Sequence, residues 1–237
     1  KFLGATSFNK LHHPGDIPLD DQSLQREQMA NLFLRALGVP WLNRRSVAIY
    51  VNGNDRAYGN GTLVEDMQAP GSDMVNQYFP DDSNGYLYKM QPWFEFAPAP
   101  SGGTIGYTNK SWCDLLPHTT TGGMHKMARY RYNYEIRQTP DSANNFAAVF
   151  SLVAAGNTFG TPNYVANLEN LANMENWMRV FAANHAAGNK DAIGGENGQN
   201  LYGYIGTQGT KYSLMMFDMT DVLGHGAWGP GQNLFYV

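Results

Sequence analysis

Three side chains towards the C-terminal end, Asp191, Asn200 and Asp218, could together handle a phosphate and a divalent cation. Asp191 sits in a glycine-rich loop, GNKDAIGGENG, and Asn200 directly precedes the apolar segment Leu201–Ile205. A second apolar run, Tyr212–Phe217, delivers Asp218, with Asp221 and Gly224 close behind. Two short strands joined by the glycine-containing turn would put Asn200 at the start of one and Asp218 at the end of the other. Such a hairpin brings the amide and the carboxylate to one edge, with Asp191 on the loop beside them. Oxygen ligands of this kind suit Mg²⁺, which takes few protein ligands and completes its shell with substrate phosphates. A loop Asp, an Asn before a strand and a strand ending in Asp is the catalytic order of kinase-type phosphoryl transfer. In that order Asp191 orients the attacking hydroxyl and accepts its proton, while Asp218 and Asn200 hold Mg²⁺. Asn197 competes with Asn200 for its role, and Asp221 with Asp218. Taken singly, each of these residues also fits a local turn cap; their order along the chain is what favours the chemistry.

The elements that must position them follow from hydrophobic spacing. Two helices, about Tyr164–Leu171 and Met174–His185, present Val165, Leu168, Leu171, Trp177, Val180 and Phe181 inward, and Gly188 closes the second. Upstream, Asp20–Leu37 has the period of a helix ended by Gly38 and Pro40. Strands are expected at Ser46–Val51, before the Asn52-Gly53 turn, at Thr62–Glu65 and at Gly85–Met90, with a short helix near Met74–Phe79. Pro92–Gly123, rich in Pro, Gly and Thr, reads as a long connection or insertion. Met124–Arg137 gathers Lys126, Arg129, Arg131 and Arg137 among tyrosines, as a solvated helix face or an anion-binding one. Thr139-Pro140 then begins a helix running to Gly156.

Composition narrows the classes. The 237 residues are 43% hydrophobic and 13% aromatic, enough for a sizeable folded core. A formal charge of −4 gives no basic excess for nucleic acid, and no apolar run is long enough to span a membrane. A single cysteine, Cys113, allows no disulfide within the chain and no cysteine-based zinc site. The histidines are scattered, and neither a G-x-S-x-G elbow nor a Walker-type phosphate loop occurs. Low charge with abundant Asn, Gly and Tyr is compatible with an exported bacterial protein. Lys1-Phe2-Leu3-Gly4 is neither an initiator nor a signal peptide, so the chain is expected to be a piece of something longer.

At these residues the chain resembles the CotH kinase family, atypical kinases related to a bacterial spore-coat protein. The family pattern is an N-x-D loop, an N-x-Y strand start, and a strand ending in W-D-x-D with Gly soon after. Here it reads Asn189-Lys190-Asp191, Asn200-Leu201-Tyr202, and Phe217-Asp218-Met219-Thr220-Asp221 with Gly224. Phe217 replaces the Trp, and Thr220 shifts the second acid by one place. The segment from Leu24 to Asn52 also resembles the family, as do Glu65 at the end of TLVE and Lys89 at the end of GYLYK. The resemblance implies that Lys89 orients the phosphates with Glu65 holding it in place; as bare residues, both read rather as exposed surface charges.

The implied fold is α+β and kinase-like: a small strand-rich lobe over about 1–90 and a mainly helical lobe over about 91–237, with ATP in the cleft. The implied activity is transfer of the γ-phosphate to a protein Ser or Thr, on a secreted, coat or surface protein. The contrasting expectation is a degenerate kinase fold serving as a binding or structural module.

Overall fold

The computed structural model describes residues 23–47, 50–55, 64–97, 106–111, 113–138, 145–193, 198–219 and 221–224. Its centre is a four-stranded antiparallel sheet in the order β10-β9-β5-β8, where β5 is Tyr86–Met90, β8 Tyr134–Gln138, β9 Leu201–Ile205 and β10 Ser213–Met216. The strand just before residue 90 thus pairs with strands drawn from well beyond it.

The side chains alternate across this sheet, as the two-residue period of a strand requires. One face carries Tyr88, Met90, Tyr134, Leu201, Leu214 and Met216 into the larger core. Helix α1 (Ser23–Ala36) reaches that core with Ala30 and Leu34. Helix α4 (Ala147–Gly156) supplies Val149, Leu152 and Val153, and α6 (Met174–Ala187) supplies Trp177, Val180 and Ala183. The opposite face carries Leu87, Tyr202, Tyr204 and Met215 into a second core. That core is completed by Met67 of β4 (Val64–Met67) and by Met74 and Val75 of α2 (Ser72–Tyr78). Lys89 falls between Tyr88 and Met90 in register, so it belongs to this second face.

Several expected elements stand close to where their spacing puts them. Strand β9 and helix α5 (Tyr164–Leu171) have the expected bounds, and α6 runs two residues further than expected before Gly188 ends it at φ 68°. Of the expected strand Ser46–Val51, the described residues lie in β1 (Arg44–Val47) and β2 (Tyr50–Val51), and 48–49 lie outside the described residues. Strand β2 turns through Asn52-Gly53 into β3 (Asn54–Asp55), and β1 pairs with β4. Buried Arg44 and Glu27 form an ion pair at 2.5 Å that fastens β1 to α1.

Three readings are corrected. Pro92–Gly123 is not a bare connection: β6 (Trp93–Ala97) and β7 (Gly106–Ser111) form an antiparallel hairpin within it. The apolar run after Pro92 behaves as strand because it has a partner to pair with, which composition alone does not reveal. Met124–Arg137 is not one helix: α3 (Met127–Asn133) stops at Asn133, whose amide donates to the Gln91 carbonyl, and β8 follows. Of its cations, Arg129 pairs with Asp114, whereas Arg137 on β8 pairs with Glu135 beside the cavity described below. Val165 points to solvent, 61% exposed, because α5 packs on one side only. Of the expected helix from Thr139-Pro140, residues 147–156 are α4, and 139–144 lie outside the described residues.

Among the described residues, no helix is long and apolar enough to cross a membrane.

Candidate active site

Helix α6 brings the chain to the site. At its start, the side chain of Asn176 accepts from Leu214 N–H and donates to Leu214 C=O, which stitches the helix to the outer edge of β10. At its end, buried Asn184 accepts from the Asn189 side chain at 2.9 Å, and Asn189 Oδ1 accepts from the Asp191 N–H at 3.2 Å. Two asparagines therefore relay the rigid helix to the backbone of Asp191.

The carboxylate of Asp191 is gripped from the strand side. Asn200 Nδ2 donates both to the Asp191 carbonyl and to its Oδ2, each at 2.8 Å. Gln199 Nε2 donates to Oδ1 at 2.5 Å. Both partners of Asn200 Nδ2 are pure acceptors, so the amide orientation is fixed by chemistry: nitrogen towards Asp191, oxygen away from it.

Asp218 lies at the same end of the β9–β10 hairpin. Met216 pairs with Leu201, and the Phe217 N–H donates to the Asn200 carbonyl at 3.0 Å. Both flanking residues are left-handed, Asn200 at φ 60° and Asp218 at φ 49°. That conformation costs an L-residue roughly 1 kcal/mol and is best tolerated by Asn and Asp. Backbone strain at both ends of one hairpin mouth is a common signature of a functional site.

Beside this mouth, on the second face of the sheet, lies a cavity of about 330 Å³. Lys89, Arg137, Tyr202 and Phe217 line it, together with Met67, Ala69 and Pro70. Lys89 Nζ lies 5.8 Å from the centre of the Phe217 ring, which attracts a cation through its π-face. Burial pushes the Tyr202 hydroxyl up to about 12; nearby Arg137 opposes this, and Glu135 and Asp218 reinforce it. The phenol therefore stays protonated near neutral pH.

The register settles what stands next to Lys89. Its cross-strand partners are Tyr202 on β9 and Glu135 on β8. Glu135 accepts from Arg137 and Gln91, each at 3.1 Å. Glu65 occupies β4 opposite Ser46, and its side chain lies outside the described residues. Asn197 lies outside them as well, while Asp221 is half-buried just past Asp218. The structure thus brings Asp191 and Asn200 into direct contact, sets Asp218 one residue from Asn200's backbone partner, and places Lys89 on the adjoining cavity wall. Sequence reasoning passed over Gln199 and Glu135. Gln199 was signalled only by standing next to Asn200, and Glu135 only by the alternation of Tyr134 and Ile136 around it.

Asn200 Oδ1 and the Asp218 carboxylate are hard oxygen donors, the kind of small protein share that suits Mg²⁺ when phosphates supply the rest. Among the described residues, no three His, Cys, Asp or Glu side chains converge as a metal cluster.

The sequence profile of the family described as CotH kinase protein matches residues 10–228. The chain belongs to the CotH kinase family. No curated protein matches it. CotH membership points to a kinase-like enzyme, in keeping with the contact between the loop Asp and the Asn that precedes the strand.

Proposed function

We propose that this CotH-family protein is an ATP-dependent phosphotransferase that uses Mg²⁺ and acts on Ser or Thr of a secreted, coat or surface protein. The observation that carries the reading is the two-sided use of Asn200. Its nitrogen holds Asp191 by carbonyl and carboxylate, and its oxygen is turned away, on the residue whose carbonyl bonds to Phe217 N–H.

Each residue then has a task. Asn200 Oδ1 and Asp218 hold Mg²⁺, which when bound neutralises charge between the β- and γ-phosphates. Asp191 orients the acceptor hydroxyl and takes its proton as the phosphoryl group leaves ATP. Lys89 reaches the phosphates from the cavity wall, held there by Glu65 or by Glu135, its cross-strand neighbour on β8. The 330 Å³ cavity is at the small end for ligand pockets and matches a base better than a whole nucleotide. The phosphates would run from it to the hairpin mouth. A small lobe over about 1–90 and a larger one over about 91–237 belong to this proposal. In it the cleft lies on the Lys89 face of the sheet.

The test is thermal unfolding with and without millimolar Mg²⁺-ATP. A ligand bound only by the folded state, present at a hundred times its Kd, adds about 2.7 kcal/mol. The parent should gain Tm with Mg²⁺-ATP and little with ATP alone. Lys89→Met should keep the parental Tm without nucleotide and lose most of the gain. No gain in the parent would remove the phosphotransferase reading in favour of a degenerate fold used for binding or assembly.

A further inference from the structure

Building on the phosphotransferase reading, we propose that Gln199 is a positioning residue: its amide fixes the plane of the Asp191 carboxylate for the acceptor hydroxyl. The torsion that turns a carboxylate about its terminal bond is broad and nearly two-fold. One donor, Asn200 on Oδ2, leaves that torsion loosely set. A second donor on the other oxygen, Gln199 on Oδ1, sets it. Proton transfer in a bound pair depends on such alignment, and a misplacement of about 1 Å can cost on the order of a hundredfold.

Gln199 is held to this task from behind. The Cys113 N–H donates to the Gly198 carbonyl at 3.0 Å. A Cβ on Gly198 would come within 2.0 Å of the Cys113 carbonyl oxygen, so residue 198 sits directly on that backbone. Burial pushes the Cys113 thiol up to about 12, which makes this position an inert seat. One residue beyond Gln199, Asn200 enters the paired sheet through Leu201. The tripeptide 198–200 is thus anchored at both ends, and its two amide side chains meet the two oxygens of one carboxylate.

The experiment compares the parent with Gln199→Met, Gln199→Glu, Asp191→Asn and the double variant Asp191→Asn/Gln199→Glu. Gln199→Met keeps the length and loses the donor. It should lower kcat about 10- to 100-fold while KM for Mg²⁺-ATP changes less than about twofold and Tm stays near the parent's. Gln199→Glu sets two carboxylates together and should lower both Tm and kcat. In the double variant the amide introduced at position 191 can donate to the carboxylate introduced at position 199. Its Tm should therefore exceed that expected from the two single changes.

Parental kcat in Gln199→Met overturns the inference, and so does strict additivity of the Tm changes. If the parent transfers phosphate while the cycle is additive, the inference fails and the phosphotransferase reading survives. If no chain transfers phosphate although the cycle couples, that reading fails and takes the positioning role with it.

Discussion

The β9–β10 hairpin has two ends built on opposite plans. At its turn, the carboxylate of Asp82 accepts from the backbone N–H groups of Thr207, Gln208 and Thr210 at 2.9 to 3.0 Å. The Tyr204 hydroxyl donates to the Asp82 carbonyl and accepts from Gly85 N–H. A Cβ on Gly206 would fall 1.9 Å from Asp82 Oδ2, so the turn closes tightly around the acid. At the mouth, Asn200 and Asp218 are left-handed, and another acid, Asp191, is held by side-chain amides instead of backbone. Both ends shelter an aspartate and satisfy it with N–H donors. Backbone donors make one end a fixed clasp; side-chain donors and left-handed flanks mark the other as the candidate site.

This contrast can be broken from either end. Asp191→Asn should give the largest effect: a loss of phosphate transfer of about a hundredfold or more with Mg²⁺-ATP affinity mostly retained. Intact transfer in that variant would strip the mouth of its proposed chemistry.

Asp82→Ala should act through stability, costing about 2–3 kcal/mol in urea unfolding, because three N–H groups lose a charged acceptor. Its pH dependence has a definite sign. Burial opposes ionisation of Asp82, but the N–H donors of Thr210, Gln208 and Thr207 outweigh it and hold the carboxyl below its ordinary 3.8. A depressed folded value contributes stability that is complete above the ordinary value and lost as pH falls through the lower one. The gap between parent and Asp82→Ala should therefore be widest near neutrality and narrow in acid. A gap that widens in acid would contradict the clasp.

Gly203→Ala probes the middle of the hairpin and should cost less, about 1–2 kcal/mol, because overpacking can relax in part. A Cβ there would lie 2.1 Å from the ring of fully buried Tyr212, which must shift to admit it. Its stability loss is read by urea unfolding, and it should leave the ratio of transfer to binding unchanged. A selective loss of transfer would mean that the mouth is sensitive to strand packing as well as to its own amides.

What was legible in the sequence was local. Helix α5, the stop at Gly188 and strand β9 were written in spacing and in one glycine, because these depend on neighbours a few residues away. The contact of Asp191 with Asn200 was approachable because a loop and the strand after it lie nine residues apart. Hairpin β6–β7 was hidden by its Pro- and Gly-rich surroundings, and β8 by following directly on α3. Asp82, in a stretch that reads as an ordinary polar turn, gave no hint of its role, since its partners come from the far end of the chain. Glu135 beside Lys89 was equally unreadable, being a product of strand register alone.

The distance between Asp82 and its partners also bears on how the chain acquires its shape. The three N–H groups lie 125 to 128 residues beyond the acid, so this contact forms across a very long loop. Contacts of such separation are slow to form, because chain entropy is lost before any pairing repays it. On a ribosome the acid emerges long before residues 207–210 exist, and it must wait hydrated while the helices of the middle segment assemble. The hairpin that carries Asn200 and Asp218 can therefore be clasped only after residues 207–210 have followed the acid out, so the candidate site matures later than the segments that precede it.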